Sequence, residues 1–164
     1  MTLKLNFIDR AADAWQPAPE DAAAPAPAAN LLLSLEQWQA VRDTWPQGVP
    51  AGVRVPNTAD IETLAADLPR LALVALDFPK WVDGRAYSQA HVLRGRLGFA
   101  GEIRAIGDVV VDMMPLLARN GFDAVVLREG QRQASAECAL GFFPQGHYQG
   151  DVLQPQPHFA REVA

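Results

Sequence analysis

From Asn30 onward the chain repeats one unit: a short apolar run closed by a polar residue, then a segment whose apolar residues recur at helical spacing. That alternation is the mark of β-α units, and consecutive β-α units lay their strands parallel in one sheet with helices packed against it. The apolar runs are residues 31–33, 52–56, 71–76, 102–106 and 124–127. The middle run, Leu71-Ala-Leu-Val-Ala-Leu, has no polar alternation, so both of its faces must be covered and it belongs at the centre of the sheet. The expected fold is α/β, with about five parallel strands in repeated β-α units, as a partial-barrel-like sheet or a doubly wound open sheet.

The intervening segments carry helix start and stop signals. Ser34 with Gln37 three residues on is a capping box, and Trp38, Val41 and Trp45 share one face before Pro46. Asn57 or Thr58 caps a second helix through Ile61, Leu64, Ala65 and Leu68, ended by Pro69. Asp83 caps a third, with Ala86, Ala90, Leu93 and Leu97 as its buried stripe and Gly98 as its stop. Pro115 decides where the next one starts. A cap at Asp108 would place proline inside the helix at a cost of about 3 kcal/mol, whereas a cap at Asp112 places it at the third position, where no N–H is needed. Gly121 ends that helix, and residues 131–142 form the last one, with Ala134 and Cys138 on one side.

Ahead of the repeats, Leu3, Leu5 and Phe7 alternate as in a strand, and Trp15 can fold back onto the body. Residues 16–29 are dominated by Pro and Ala, offer little large apolar surface, and read as a flexible surface loop or linker. The chain thus divides into residues 1–29, an edge element with a Pro/Ala-rich loop, and residues 30–164, a single α/β domain. A chain of 164 residues can bury a full core without staples, so a monomer suffices. A net charge of −5 with no basic run argues against nucleic acid as a partner. No apolar run approaches the roughly 18 residues that span a bilayer, so no membrane partner is expected. The lone Cys138 supports neither an intrachain disulfide nor a thiolate metal cage, and the first residues lack a signal-peptide apolar core; the expected location is cytoplasmic.

Parallel sheets bind ligands beyond the carboxyl ends of their strands, here marked by Asn57, Asp77, Gly107, Asp108, Arg128 and Glu129. Asn57 reads as a helix cap, whereas Asp77 precedes its helix by several residues. Arg85 lies in the first turn of its helix, where the macrodipole disfavours a cation by about 0.3 to 1 kcal/mol. Two arrangements resolve that conflict: a bound sulfite, phosphate or carboxylate, or an ion pair with Asp77 or Asp83. Tyr87 and Ser88 can donate into the same pocket, although Ser88 has no base beside it to make a nucleophile. Arg104 alternates with Glu102 on one side of a strand, as in a salt-bridged face, and Arg96 reads as a solvated charge. The candidate catalytic residues are Asp77 and Asp108; the candidate ligand-binding residues are Asp83, Arg85, Tyr87, Ser88, Arg104 and Gly107.

His91, His147 and His158 lack metal-pair spacing, so no metal site is expected. Cys138 reads as a small buried hydrophobe and the tryptophans as packing residues, with Trp81 in the loop beside the pocket. Gly95, Gly98 and Gly101 have the wrong spacing for a dinucleotide site, and neither a P-loop nor a nucleophile elbow occurs. No cofactor is expected.

The run Asp83-Gly-Arg-Ala-Tyr-Ser-Gln-Ala, then Leu93-Arg94, Gly98-Phe99, Gly101-Glu-Ile-Arg-Ala-Ile-Gly-Asp-Val and Asp112, resembles a bacterial family, domain of unknown function 934, labelled an oxidoreductase involved in sulfite reduction. Gly121-Phe-Asp-Ala and Tyr148-Gln149 extend the resemblance, which covers roughly residues 30–150. It implies an association with assimilatory sulfite reduction and with sulfite reductase components as partners. No redox-cofactor signature accompanies the oxidoreductase label in this sequence. Three readings follow. The first is a cytoplasmic accessory protein that binds an anionic sulfur species or docks on sulfite reductase. The second is an enzyme in which Asp77 or Asp108 acts as acid or base on a small anion held by Arg85 and Arg104, which requires an enclosed carboxylate of raised pKa. The third is a non-catalytic interaction module, which requires an apolar patch near Trp15, Trp81 or the tail.

Overall fold

A computed structural model describes residues 4–143, 150–152, 154–157 and 160. The fold is α/β, built on a curled, half-barrel sheet of seven strands: β1 (Asn6–Phe7), β2 (Gln16–Pro17), β3 (Leu31–Ser34), β4 (Ala51–Val55), β5 (Leu71–Phe78), β6 (Glu102–Gly107) and β7 (Ala124–Val125). All pairs are parallel, in the order β1-β7-β6-β5-β4-β3-β2. The five strands from the apolar runs stay neighbours in chain order, which makes the sheet barrel-like; a doubly wound sheet reverses order part-way. The two further strands are two-residue edges from the segment ahead of the repeats, too short to leave a periodic signal. Pro17 is tolerated in β2 because an edge strand has one side without a ladder partner.

Register separates the two faces. Leu33, Val53, Val74 and Ile103 form one row, and Val55, Leu76, Ala105 and Val125 the next, all turned toward the helices and fully buried. On the other face run Ser34, Arg54, Ala75, Arg104 and Ala124, with Gly52, Leu73 and Glu102 one row toward the amino ends. Residues 8–15 link the two edge strands and cross that face as a strap. Asp13 reaches Arg104, and a Cβ placed on Gly52 would lie 3.0 Å from the Trp15 ring.

Helix α1 (Leu35–Val41) has both halves of its capping box, and Trp38 and Trp45 pack edge to face at 6.0 Å. The expected second helix is replaced by two 3-10 turns, Ile61–Leu64 and Leu68–Arg70, and the first is capped by Asp60 rather than by Asn57 or Thr58. Between Pro56 and Pro69 the tighter turns still bring Ile61 and Leu64, three residues apart, onto the core. Helix α2 (Arg85–His91) starts after Gly84, one residue beyond Asp83, and continues as a π turn, Val92–Arg96. Helix α3 (Met114–Arg119) follows a 3-10 turn, Val111–Met113, so Pro115 falls within its first two positions. Helix α4 (Gln133–Leu140) buries Ala136 and Ala139, leaving Ala134 and Cys138 exposed, because its small residues define no apolar stripe in the sequence. Among the described residues no helix is long and apolar enough to cross a membrane.

Candidate functional site

At the carboxyl end of the sheet β5 and β6 deliver three of the expected residues together. Gly107 has φ +93, a conformation that favours glycine, and a Cβ there would strike the Phe78 carbonyl and lie 2.6 Å from Asp77 Oδ1. The bare backbone therefore lets the Asp77 carboxylate lie over Gly107. The Asp108 N–H donates to the Phe78 carbonyl at 2.7 Å and locks the same corner.

Each carboxylate here already has a cation. Asp77 accepts from Arg54 Nη2 at 2.6 Å. Asp108 accepts from the Trp81 N–H at 2.9 Å and from Arg128 Nη1 at 2.8 Å. These bonds hold its carboxyl below the ordinary range, the Trp81 N–H contributing most. Asp83 takes Arg85 as a fork, with Nε at 3.0 Å and Nη2 at 2.7 Å. The fork depresses the Asp83 carboxyl strongly and raises the Arg85 guanidinium. Of the arrangements open to Arg85, the structure has the pair with Asp83. Asn57, only 6% exposed, also helps to lower Asp83, although its Nδ2 makes no hydrogen bond of good geometry.

The remaining candidates join none of these three ion pairs. Tyr87 packs edge to face on Phe78 at 5.1 Å and on Phe122 at 6.4 Å, and burial pushes its hydroxyl up to about 12. Ser88 is exposed. Arg104 sits one row below Asp77 on the strap face, 3% exposed, donating to Glu102 at 2.6 Å and to Asp13 at 2.7 Å. Sequence reasoning missed Arg54 and Asp13 as partners. Strand alternation places Arg54 on the face opposite Val53 and Val55; Asp13, 91 residues before Arg104, leaves no local signal. Among the described residues no group of three or more His, Cys, Asp or Glu side chains is placed to hold a metal ion. His147, His158, Tyr148 and Gln149 lie outside the described residues.

Residues 52–159 match a family described as bacterial protein of unknown function (DUF934). The chain belongs to this family. Comparisons with curated proteins and with solved structures found no match. The matched segment of DUF934 holds a second cluster, at the amino ends of β6 and β7. Arg94, on the π turn, donates to the carbonyls of Phe99, Gly101 at 3.2 Å and Gly121 at 3.3 Å, and pairs with Asp123. Asp123 in turn accepts the Ile103 N–H at 2.8 Å. A Cβ on Gly121 would lie 2.9 Å from the Arg94 side chain, and one on Gly101 would strike the Phe99 ring. Much of the motif that carries the resemblance, Leu93-Arg94, Gly98-Phe99, Gly101 and Gly121-Phe-Asp-Ala, thus builds one structural clamp. The DUF934 residues at the carboxyl end form the other cluster, three closed ion pairs beside an exposed loop.

Proposed function

We propose that this protein is a cytoplasmic accessory factor of assimilatory sulfite reduction that acts by docking on a sulfite reductase component. The pathway half of the reading rests on the resemblance in the Asp83 to Asp112 motif. The docking half rests on one observation: Trp81 and Val82 are 52% and 66% exposed in the loop that follows β5, flanked by the Asp83–Arg85 and Asp108–Arg128 pairs. An aromatic anchor beside satisfied polar groups is the anatomy of a protein interface. The Asp108 bond to the Trp81 N–H fixes the loop before a partner arrives, which reduces the ordering cost of association.

A free-anion pocket has less support, because Arg54, Arg85 and Arg128 each have a carboxylate partner within 3 Å. Asp108 is shifted toward stronger acidity, the opposite of the raised carboxylate that acid/base catalysis needs. The test is affinity purification of the protein at native levels, with sulfite reductase components read by mass spectrometry. They are expected with wild type and reduced at least tenfold with Trp81→Ala, an exposed site whose truncation leaves the fold intact. Absence of reductase from the wild-type fraction removes the docking reading. Saturable sulfite binding by calorimetry that disappears in Arg85→Ala would restore the anion pocket in its place.

A further inference from the structure

The three ion pairs at the carboxyl end of the sheet share one asymmetry. The side chains of Asp77, Asp83 and Asp108 are 18%, 24% and 26% exposed, against 54%, 56% and 46% for their partners Arg54, Arg85 and Arg128. Each carboxylate is also held from the protein side. Asp77 lies against Gly107, Asp83 accepts the Arg85 N–H at 3.3 Å, and Asp108 accepts the Trp81 N–H at 2.9 Å. In all three pairs the anion is the inner member and the cation the outer one.

A guanidinium has several N–H donors in a rigid fork, and these pairs leave donors unspent. Arg54 gives its carboxylate Nη2 alone and Arg128 gives Nη1 alone, while Arg85 gives Nε and Nη2. None of the three has a further side-chain partner among the described residues. Lys80, directly before Trp81, is exposed, and among the described residues its ammonium has no partner. Glu129, next to Arg128, lines a separate hollow with Phe7 and Ile8. The face that holds Trp81 and Val82 therefore turns N–H donors and an ammonium outward, on a chain whose net charge is −5. A local field opposite in sign to the whole protein selects a partner by its charge. A single small anion must compete with the carboxylate already on each guanidinium, whereas a row of carboxylates meets the unspent donors of several at once.

We infer, resting on the docking reading above, that the protein surface received by the Trp81 loop is acidic: a cluster of Asp and Glu carboxylates that accept from Lys80, Arg85 and Arg128 while an apolar contact covers Trp81. The experiment is biolayer interferometry of the full chain at low salt with a glutamate–tyrosine copolymer, which carries carboxylates and rings, and with poly-L-lysine and duplex DNA. Net charge alone predicts that the acidic chain repels the copolymer and attracts polylysine. The copolymer is instead expected to bind saturably and more tightly than DNA, which has charge but no apolar side chains for Trp81. Lys80→Glu and Arg128→Gln are each expected to weaken it at least threefold. Arg96→Glu makes the same change of net charge as Lys80→Glu on the π turn, where Arg96 pairs with Glu62, and is expected to change affinity less than twofold. No saturable copolymer binding by wild type, tighter binding of DNA, or an equal loss with Arg96→Glu would each overturn the inference. Reductase retained at native levels through Trp81 without copolymer binding would leave docking standing and remove the acidic partner. Copolymer binding without reductase would remove that partner and leave the charge assignment standing.

Discussion

Tyr87 was a candidate hydrogen-bond donor, yet what its surroundings determine is its acidity. Held between Phe78 and Phe122, its hydroxyl rises from the ordinary 10.0 to about 12 because burial penalises the phenolate. The folded chain therefore keeps this proton more tightly than the unfolded chain. The associated stability is fully present below the unfolded value and is lost as pH rises through the folded one. Thermal melts followed by circular dichroism are expected to show a midpoint that falls across that window, and Tyr87→Phe to flatten the fall. Gly107 makes a second single-residue case. Both Gly107 and Gly48 have positive φ, but only at Gly107 would a Cβ meet neighbours, Phe78 and Asp77; at Gly48 nothing lies within 4 Å. Gly48→Ala carries backbone strain alone, about 1 kcal/mol, whereas Gly107→Ala adds a collision with backbone and should cost about 2 to 3 kcal/mol more. Urea unfolding of the two variants measures the difference; equal losses would mean that the β5–β6 corner yields easily.

At the scale of elements, the π turn Val92–Arg96 departs from α-helical geometry and carries Arg94, a side chain with partners in two loops. Arg94 joins the turn after α2 to the loops before β6 and β7 through three carbonyls and Asp123. Lysine keeps the charge but lacks the planar fork that reaches several acceptors at once. Arg94→Lys is expected to cost about 1.5 to 3 kcal/mol, the range for hydrogen bonds to charged groups, and to speed amide exchange at Ile103, whose N–H relies on Asp123. Unchanged exchange at Ile103 would show that Asp123 is held without Arg94. This clamp marks where the sequence stops being readable. The apolar runs announce the strands because burial on both faces is a local property, and the Ser34–Gln37 box announces α1 because capping is local too. Pairing across strands is not local. Asp77, Gly107 and Asp108 could be placed at one end of the sheet from the β-α order, but their partners depend on register: Arg54 and Arg104 both align with Ala75, and nothing in the chain assigns one to Asp77 and the other to Asp13. The segment after β4 failed for a different reason, since spacing of three residues fits a 3-10 turn as well as an α-helix.

For the whole molecule, residues 8–15 cross the sheet face that carries Gly52 and Arg104 and tie the two edge strands together. The strap lies outside the segment matched to the family, yet it closes onto residues within it, Gly52 through Trp15 and Arg104 through Asp13. Arg104 is 3% exposed, so its charge depends on both Glu102 and Asp13. Removing one partner of such a group is costly mainly because it leaves charge uncompensated, while removing the charge together with its partner is much milder. Asp13→Asn is therefore expected to lower unfolding free energy by about 1 to 3 kcal/mol and to loosen the strap, seen as increased binding of a hydrophobic dye to the uncovered face. In that background Arg104→Met should recover part of the loss, because methionine fills a similar volume beside Leu73 and Ala75 without a charge to compensate. If Arg104→Met instead adds a further full loss, the strap is held by guanidinium geometry rather than by charge neutralisation. A double-mutant cycle on Asp13 and Arg104, read by urea unfolding, separates the two.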